Sequence, residues 1–127
     1  MRFMMLVKAT PDSEAGLPPD PSLMHAIQQL AEEAVQAGTL VASGGLAPSR
    51  SGIRIRIGGG RTQVIDGPFA ETKELLGGYA IFDLPSKEAA VESGRRFMQL
   101  HADVLGPTYE AELEIRQIFG PEEMGHP

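Results

Sequence analysis

Within one stretch, Asp66-Gly67-Pro68-Phe69-Ala70-Glu71-Thr72-Lys73-Glu74, the chain places three carboxylates, one ammonium and one aromatic ring around a turn. Gly67 reaches backbone angles closed to other residues and Pro68 fixes its own, so acid and base are presented together on a specified bend. Asp66 ends a run that reads as a strand; its carboxylate either accepts hydrogen bonds from the amides of the turn or acts as a general base. Lys73 supplies a point charge for an anionic substrate, with Glu71 able to orient it. Tyr79 follows with a hydroxyl to place and serves as a positioning group. Against this stands a plainer reading, in which Glu71, Lys73 and Glu74 are a solvated ion-pair cluster and Phe69 and Tyr79 are core.

The basic and imidazole side chains elsewhere have ordinary explanations. Arg54 and Arg56 share one face of an alternating strand, with Arg61 just beyond its turn, as a charged guard on an exposed edge or as the rim of a site for an acidic ligand. His25 shares a helix face with Gln29 and Glu32, as a solvated histidine does. His101 sits at a helix end on the apolar stripe, and His126 lies in the tail. These three histidines have no close pairing, and there is no cysteine. Thiolate nucleophiles, disulfides and thiolate metal sites are therefore excluded, no cofactor motif is present, and the expected compartment is the cytoplasm. A formal net charge of −6 with scattered basic residues argues against nucleic acid as a partner. No apolar run approaches a membrane span.

The elements that must position these residues follow from periodicity. Phe3-Met4-Met5-Leu6-Val7 is a nearly unbroken apolar run and predicts a central strand. Residues 10–21, with four prolines, read as loop up to the Asp20-Pro21 start of a first long helix. Leu23, Ile27, Leu30, Ala31, Ala34 and Val35 make its buried stripe, and Gly38 ends it. Residues 39–46 return as a strand. Ile53-Arg54-Ile55-Arg56-Ile57, Gly58-Gly59-Gly60 and Thr62-Gln63-Val64-Ile65 read as a hairpin. The triple glycine lacks the following helix that a phosphate loop needs. Residues 75–84 form a strand whose Gly77-Gly78 pair predicts a bulge or a close backbone approach. Ser86 caps a second long helix with Ala90, Val91, Gly94, Phe97, Met98 and His101 on its stripe, residues 102–111 read as loop, and residues 112–119 as a last strand.

Two β-α-β units with a hairpin between them describe an α+β, ferredoxin-like sandwich in one domain over residues 1–120, followed by a tail at 121–127. Helices cover only one face of such a sheet, and apolar residues lie on both. A homodimer packed sheet against sheet is the expected partner of the other face.

The nine-residue stretch, with Gly78-Tyr79, Glu114-Ile115-Arg116-Gln117, Gly38 and the Gly44-Gly45-Leu46 turn, resembles the DGPF-domain proteins of the YCII-related family over nearly the whole chain. The resemblance implies a dimeric α/β barrel of ferredoxin-like protomers. It also implies two functions: a small-molecule enzyme or binder, from the histidine and aspartate of YCII-type relatives, or a module acting on an alternative sigma factor, from the gene neighbourhood of DGPF proteins. The dyad does not carry over, because the first long helix offers His25, Ile27 and Gln36 without an acidic partner at the expected place. On the enzyme or binder reading, Asp66, Lys73 and Tyr79 form the site.

Overall fold

A central strand, β1 (Arg2–Lys8), buries Phe3 and Met5 almost completely and pairs antiparallel on both sides, with β5 (Leu76–Asp83) and β6 (Leu113–Ile118). The computed structural model describes residues 1–70 and 74–121. β2 (Leu40–Gly45) joins the far side of β5, so the four-stranded sheet runs β2-β5-β1-β6. Between β1 and β2 lie a one-turn helix, α1 (Pro11–Glu14), and α2 (Pro21–Gln36); α3 (Lys87–Leu105) joins β5 to β6. Each long helix thus connects two strands separated by one antiparallel neighbour, which is the ferredoxin-like split β-α-β arrangement. Between β2 and β5 a 3-10 turn (Ser49–Ser51) leads into a separate two-stranded sheet of β3 (Ile53–Gly58) and β4 (Arg61–Asp66).

Alternation along the strands divides the main sheet into two faces. Phe3, Met5 and Val7 pair with Phe82, Ala80 and Gly78 on one side, and with Gln117, Ile115 and Leu113 on the other. This face carries the helices: a Cβ at the buried Gly94 of α3 would come within 2.9 Å of Ile115 Cδ1 and 3.0 Å of Leu113 Cδ2. The absent side chain lets α3 sit directly on β6. The opposite face presents Met4, Leu6, Tyr79 and Ile81, all half-buried. Tyr79 lies across Gly44 of β2, where a Cβ would come within 3.0 Å of its Cε1 and 3.1 Å of its hydroxyl. The predicted bulge is present, since the pairing passes from Val7 and Gly78 to Lys8 and Leu76 and leaves Gly77 out.

Three details depart from the sequence expectations. The proline-rich segment 10–21 is not wholly loop, because Thr10 and Ser13 form a capping box that starts α1: Ser13 N–H donates to Thr10 Oγ1 at 3.1 Å and Thr10 N–H to Ser13 Oγ at 2.8 Å. α3 continues to Leu105, past His101, and ends where Gly106 takes φ 91°. His101 is buried inside that helix, with Nδ1 donating to the Phe97 carbonyl at 2.8 Å and its ring against Phe97 and Tyr109. The apolar stripes are also narrower than the spacing suggested, with Val35 and Val91 exposed. The start of α2 follows expectation: Asp20 Oδ1 accepts from Ser22 and Leu23 N–H, with Pro21 in the first turn.

The hairpin closes on Gly59 and Gly60, both at positive φ (58° and 76°), as a two-residue turn with φ positive at both central positions requires. Its base is tied by Gly67 N–H donating to the Gly52 carbonyl at 2.9 Å. Gly67 is needed there for a different reason from the one expected: its φ is not positive, but any Cβ would overlap the Ser49 carbonyl. The expected acceptor role of Asp66 is taken elsewhere as well, since Gly67 N–H goes to Gly52 and Phe69 N–H to Ser49 Oγ at 3.0 Å. Gly67→Val therefore separates the loop from the Ser49 turn and lowers stability by about 1–3 kcal/mol in urea unfolding. An unchanged midpoint would contradict the close approach.

Candidate functional site

Ser49 holds three segments together. Its N–H donates to Glu14 Oε1 and Oε2 at 3.0 and 3.2 Å, its hydroxyl donates to Glu14 Oε1, and the same hydroxyl oxygen accepts from Phe69 N–H. The short helix α1 thus delivers a carboxylate to the start of the 3-10 turn, and the turn in turn fixes the Asp66-Gly67-Pro68-Phe69 bend. Beside this junction opens a cleft of about 520 Å³, whose wall includes Glu14, Ser51, Arg54, Phe69 and Glu74. A volume of that size suits a small metabolite.

Arg54 occupies the cleft wall with its guanidinium carbon 3.8 Å from the centre of the Phe69 ring. Among the described residues it has no carboxylate partner, whereas both carboxylates of the wall are engaged: Glu14 by Ser49 and Glu74 by Lys8 Nζ at 3.7 Å. The stacked face of a guanidinium leaves its N–H edge free to donate, so the cleft offers a planar, fork-shaped cation to an anion. A second, smaller hollow of about 350 Å³ lies at the hairpin tip between Arg56, Arg61 and Gln63. It is a concavity formed wholly by the exposed strand pair β3–β4.

The residues singled out from the sequence are distributed as follows. Asp66 ends β4 opposite Ile53, is exposed, and makes no side-chain hydrogen bond among the described residues. Tyr79 stands on the open face of the main sheet above Gly44. Neither is among the residues that line the cleft. Lys73, with Glu71, lies outside the described residues. His25 is exposed on α2, as a solvated histidine should be.

Sequence reasoning passed over two groups. Glu14 was hidden because residues 10–21 read as loop, although Thr10-Pro11-Asp12-Ser13 carries an N-cap, a first-turn proline and a capping partner. Lys8 ends β1 with its side chain only 11% exposed, paired with Glu114 at 3.3 Å and with Glu74. Its signal lay in register: Leu6 pairs with Glu114, which sets Lys8 on the diagonal, within reach of a long side chain. A hydrogen bond from Arg116, and after it one from Lys8, holds the Glu114 carboxyl below the usual carboxylate range. Elsewhere, burial and then the charge of Asp12 push the Tyr109 phenol up.

A depressed folded-state value means that Glu114 contributes stability above its unfolded pKa and loses it as pH falls toward the folded one. Glu114→Gln is accordingly less stable than the parent at pH 7, and the two converge on acidification through and below the usual carboxylate range. Parallel thermal melts across that range check this, and a gap that persists in acid contradicts it.

Comparison with known proteins gives this geometry its family setting. A protein of Rhizobium meliloti (strain 1021), itself uncharacterised, is 36% identical over 76 residues, which spans 60% of this chain and 61% of the relative. The YCII-related domain model matches residues 1–115, which takes in the whole junction around Ser49 and five of the six strands in full or in large part, and the chain belongs to the YCII-related family.

Proposed function

We propose that the protein is a small-molecule enzyme or binder whose cleft beside the Asp66-Gly67-Pro68-Phe69 bend takes a small acidic ligand. The observation that supports it most is Arg54, stacked on Phe69 in the cleft wall and without a carboxylate partner among the described residues, while Glu14 and Glu74 are engaged. An anion meeting Arg54 gains a charge-assisted hydrogen bond from a group already held in place, so little side-chain entropy is lost on binding. In this reading Lys73 adds a second cation and Asp66, paired with Ile53 of the cleft wall, is the general base, its exposed carboxylate making no hydrogen bond among the described residues; Tyr79, on the open face of the main sheet and away from the cleft lining, takes no part in it. The protomer works as a homodimer in the form of an α/β barrel. Met4, Leu6, Tyr79 and Ile81 support this, because they stay half-buried on a sheet face that lies opposite the helices.

A second reading is an interaction module acting on a protein partner such as an alternative sigma factor. What favours it is the exposed apolar side of the β3–β4 hairpin, where Ile53, Ile55 and Ile57 are 64–77% exposed.

Thermal-shift screening against small carboxylates and phosphates, followed by calorimetric titration of the best ligand, tests the first reading. Arg54→Ala weakens that ligand by about tenfold or more, equivalent to at least about 1.4 kcal/mol, while the loss of stacking on Phe69 lowers stability by only about 0.5–1 kcal/mol. Lys73→Ala weakens the same ligand and leaves the fold nearly intact, and His25→Ala changes neither. Binding that survives Arg54→Ala and Lys73→Ala but is lost on His25→Ala places the site on α2 and overturns the assignment.

A further inference from the structure

The β3–β4 hairpin is built unlike the rest of the chain. Every residue of β3 is exposed, and in β4 only Ile65 is half-buried. Pairing puts Ile53, Ile55, Ile57 and Val64 on one side, with exposures of 64%, 71%, 77% and 66%. The other side carries Arg54, Arg56 and Arg61. A two-stranded ribbon standing alone in water is marginal at best, and three isoleucines in register on one exposed side deepen the cost of leaving it bare. Charge indicates what covers it. Residues 53–66 hold three arginines and one aspartate, a net +2, within a chain whose total is −6, so the remaining residues carry −8. A basic ribbon on an acidic body is drawn to the body of another copy and repelled by another ribbon.

We propose that the β3–β4 hairpin is an arm that lays its isoleucine side on the body of a second copy of this chain, drawn to that acidic body by its net positive charge while its arginine side stays turned to solvent. The inference rests on the homodimer reading and deepens it: the dimer is held by exchanged arms in addition to the sheet faces. Because Arg54 belongs both to the arm and to the cleft wall, docking of the arm fixes the base of the hairpin and with it the position of the cation that faces the ligand. The site is then complete only in the dimer.

The chain has no cysteine, so a single introduced thiol reports its own exposure. Two full-length variants, Ile57→Cys on the isoleucine side and Gln63→Cys on the arginine side, are labelled with a maleimide over a dilution series, with light scattering on the same samples. Both positions are exposed in the protomer, so neither variant threatens the fold. The expected result is that Ile57→Cys reacts about tenfold more slowly where the dimer is nine-tenths populated and recovers the Gln63→Cys rate on dilution, the protection following dimer population by mass action. Ile57→Cys reacting as fast as Gln63→Cys in a sample that scatters as a dimer overturns the arm and leaves the dimer standing. That outcome also returns the isoleucine side to a partner of another kind. A single species of 13.6 kDa at every concentration overturns both. Protection in that monomer overturns the second copy as occupant, since the chain would then cover its own arm.

Discussion

Everything near the candidate site depends on how closely two backbones approach at Gly67 and Ser49. The Ser49 carbonyl lies where a side chain at position 67 would stand, so the bend after β4 and the 3-10 turn before β3 are in direct contact. Contact alone would leave polar groups stranded, and the Glu14 carboxylate prevents that by accepting the Ser49 amide and hydroxyl while the hydroxyl oxygen takes the Phe69 amide. One glycine, one serine and one glutamate from three distant parts of the chain thereby set the position of the Phe69 ring, and the ring sets Arg54. The order of dependence runs from a steric fact to a hydrogen-bond junction to a cation with a defined orientation.

The same junction explains why the site could be read only in part from the sequence. Fold class was legible because it rests on periodicity: the apolar run of β1, the alternation of Ile and Arg in β3, the glycine turn of the hairpin and the glycine bulge of β5 all act within a few residues of where they are written. The bend at Asp66-Gly67-Pro68-Phe69 was legible for the same reason. What Glu14 and Lys8 do was not, because their partners lie far along the chain and are fixed by register and packing. Gly67 shows the limit sharply. The residue type announced a special position, but the local argument named backbone angle as the cause, whereas the cause is a neighbour 18 positions earlier in the chain.

Helix boundaries failed for a related reason. The prolines of segment 10–21 mask a capping box that needs only one turn of helix to form, and α3 outlasts its clear apolar stripe because Gly106, rather than the end of the stripe, stops it. His101 was placed at a helix end on that shorter estimate. In the longer helix it sits a full turn inside, satisfied by the Phe97 carbonyl and by aromatic neighbours, and this removes the need to invoke the helix terminus for it.

Electrostatics then joins the cleft to the arm. An acidic chain repels acidic ligands on average, and it can bind one only where local cations are shielded from the body's own carboxylates. Pairing Glu14 with Ser49 and Glu74 with Lys8 accomplishes this at the cleft: the nearest negative charges already have donors, so they compete less for Arg54. Stacking on Phe69 holds the guanidinium by its face, and no carboxylate among the described residues pairs with it. In the proposed dimer, positive charge carried on the ribbon draws it to an acidic body and at the same time leaves at its base a cation to which an anion can bind.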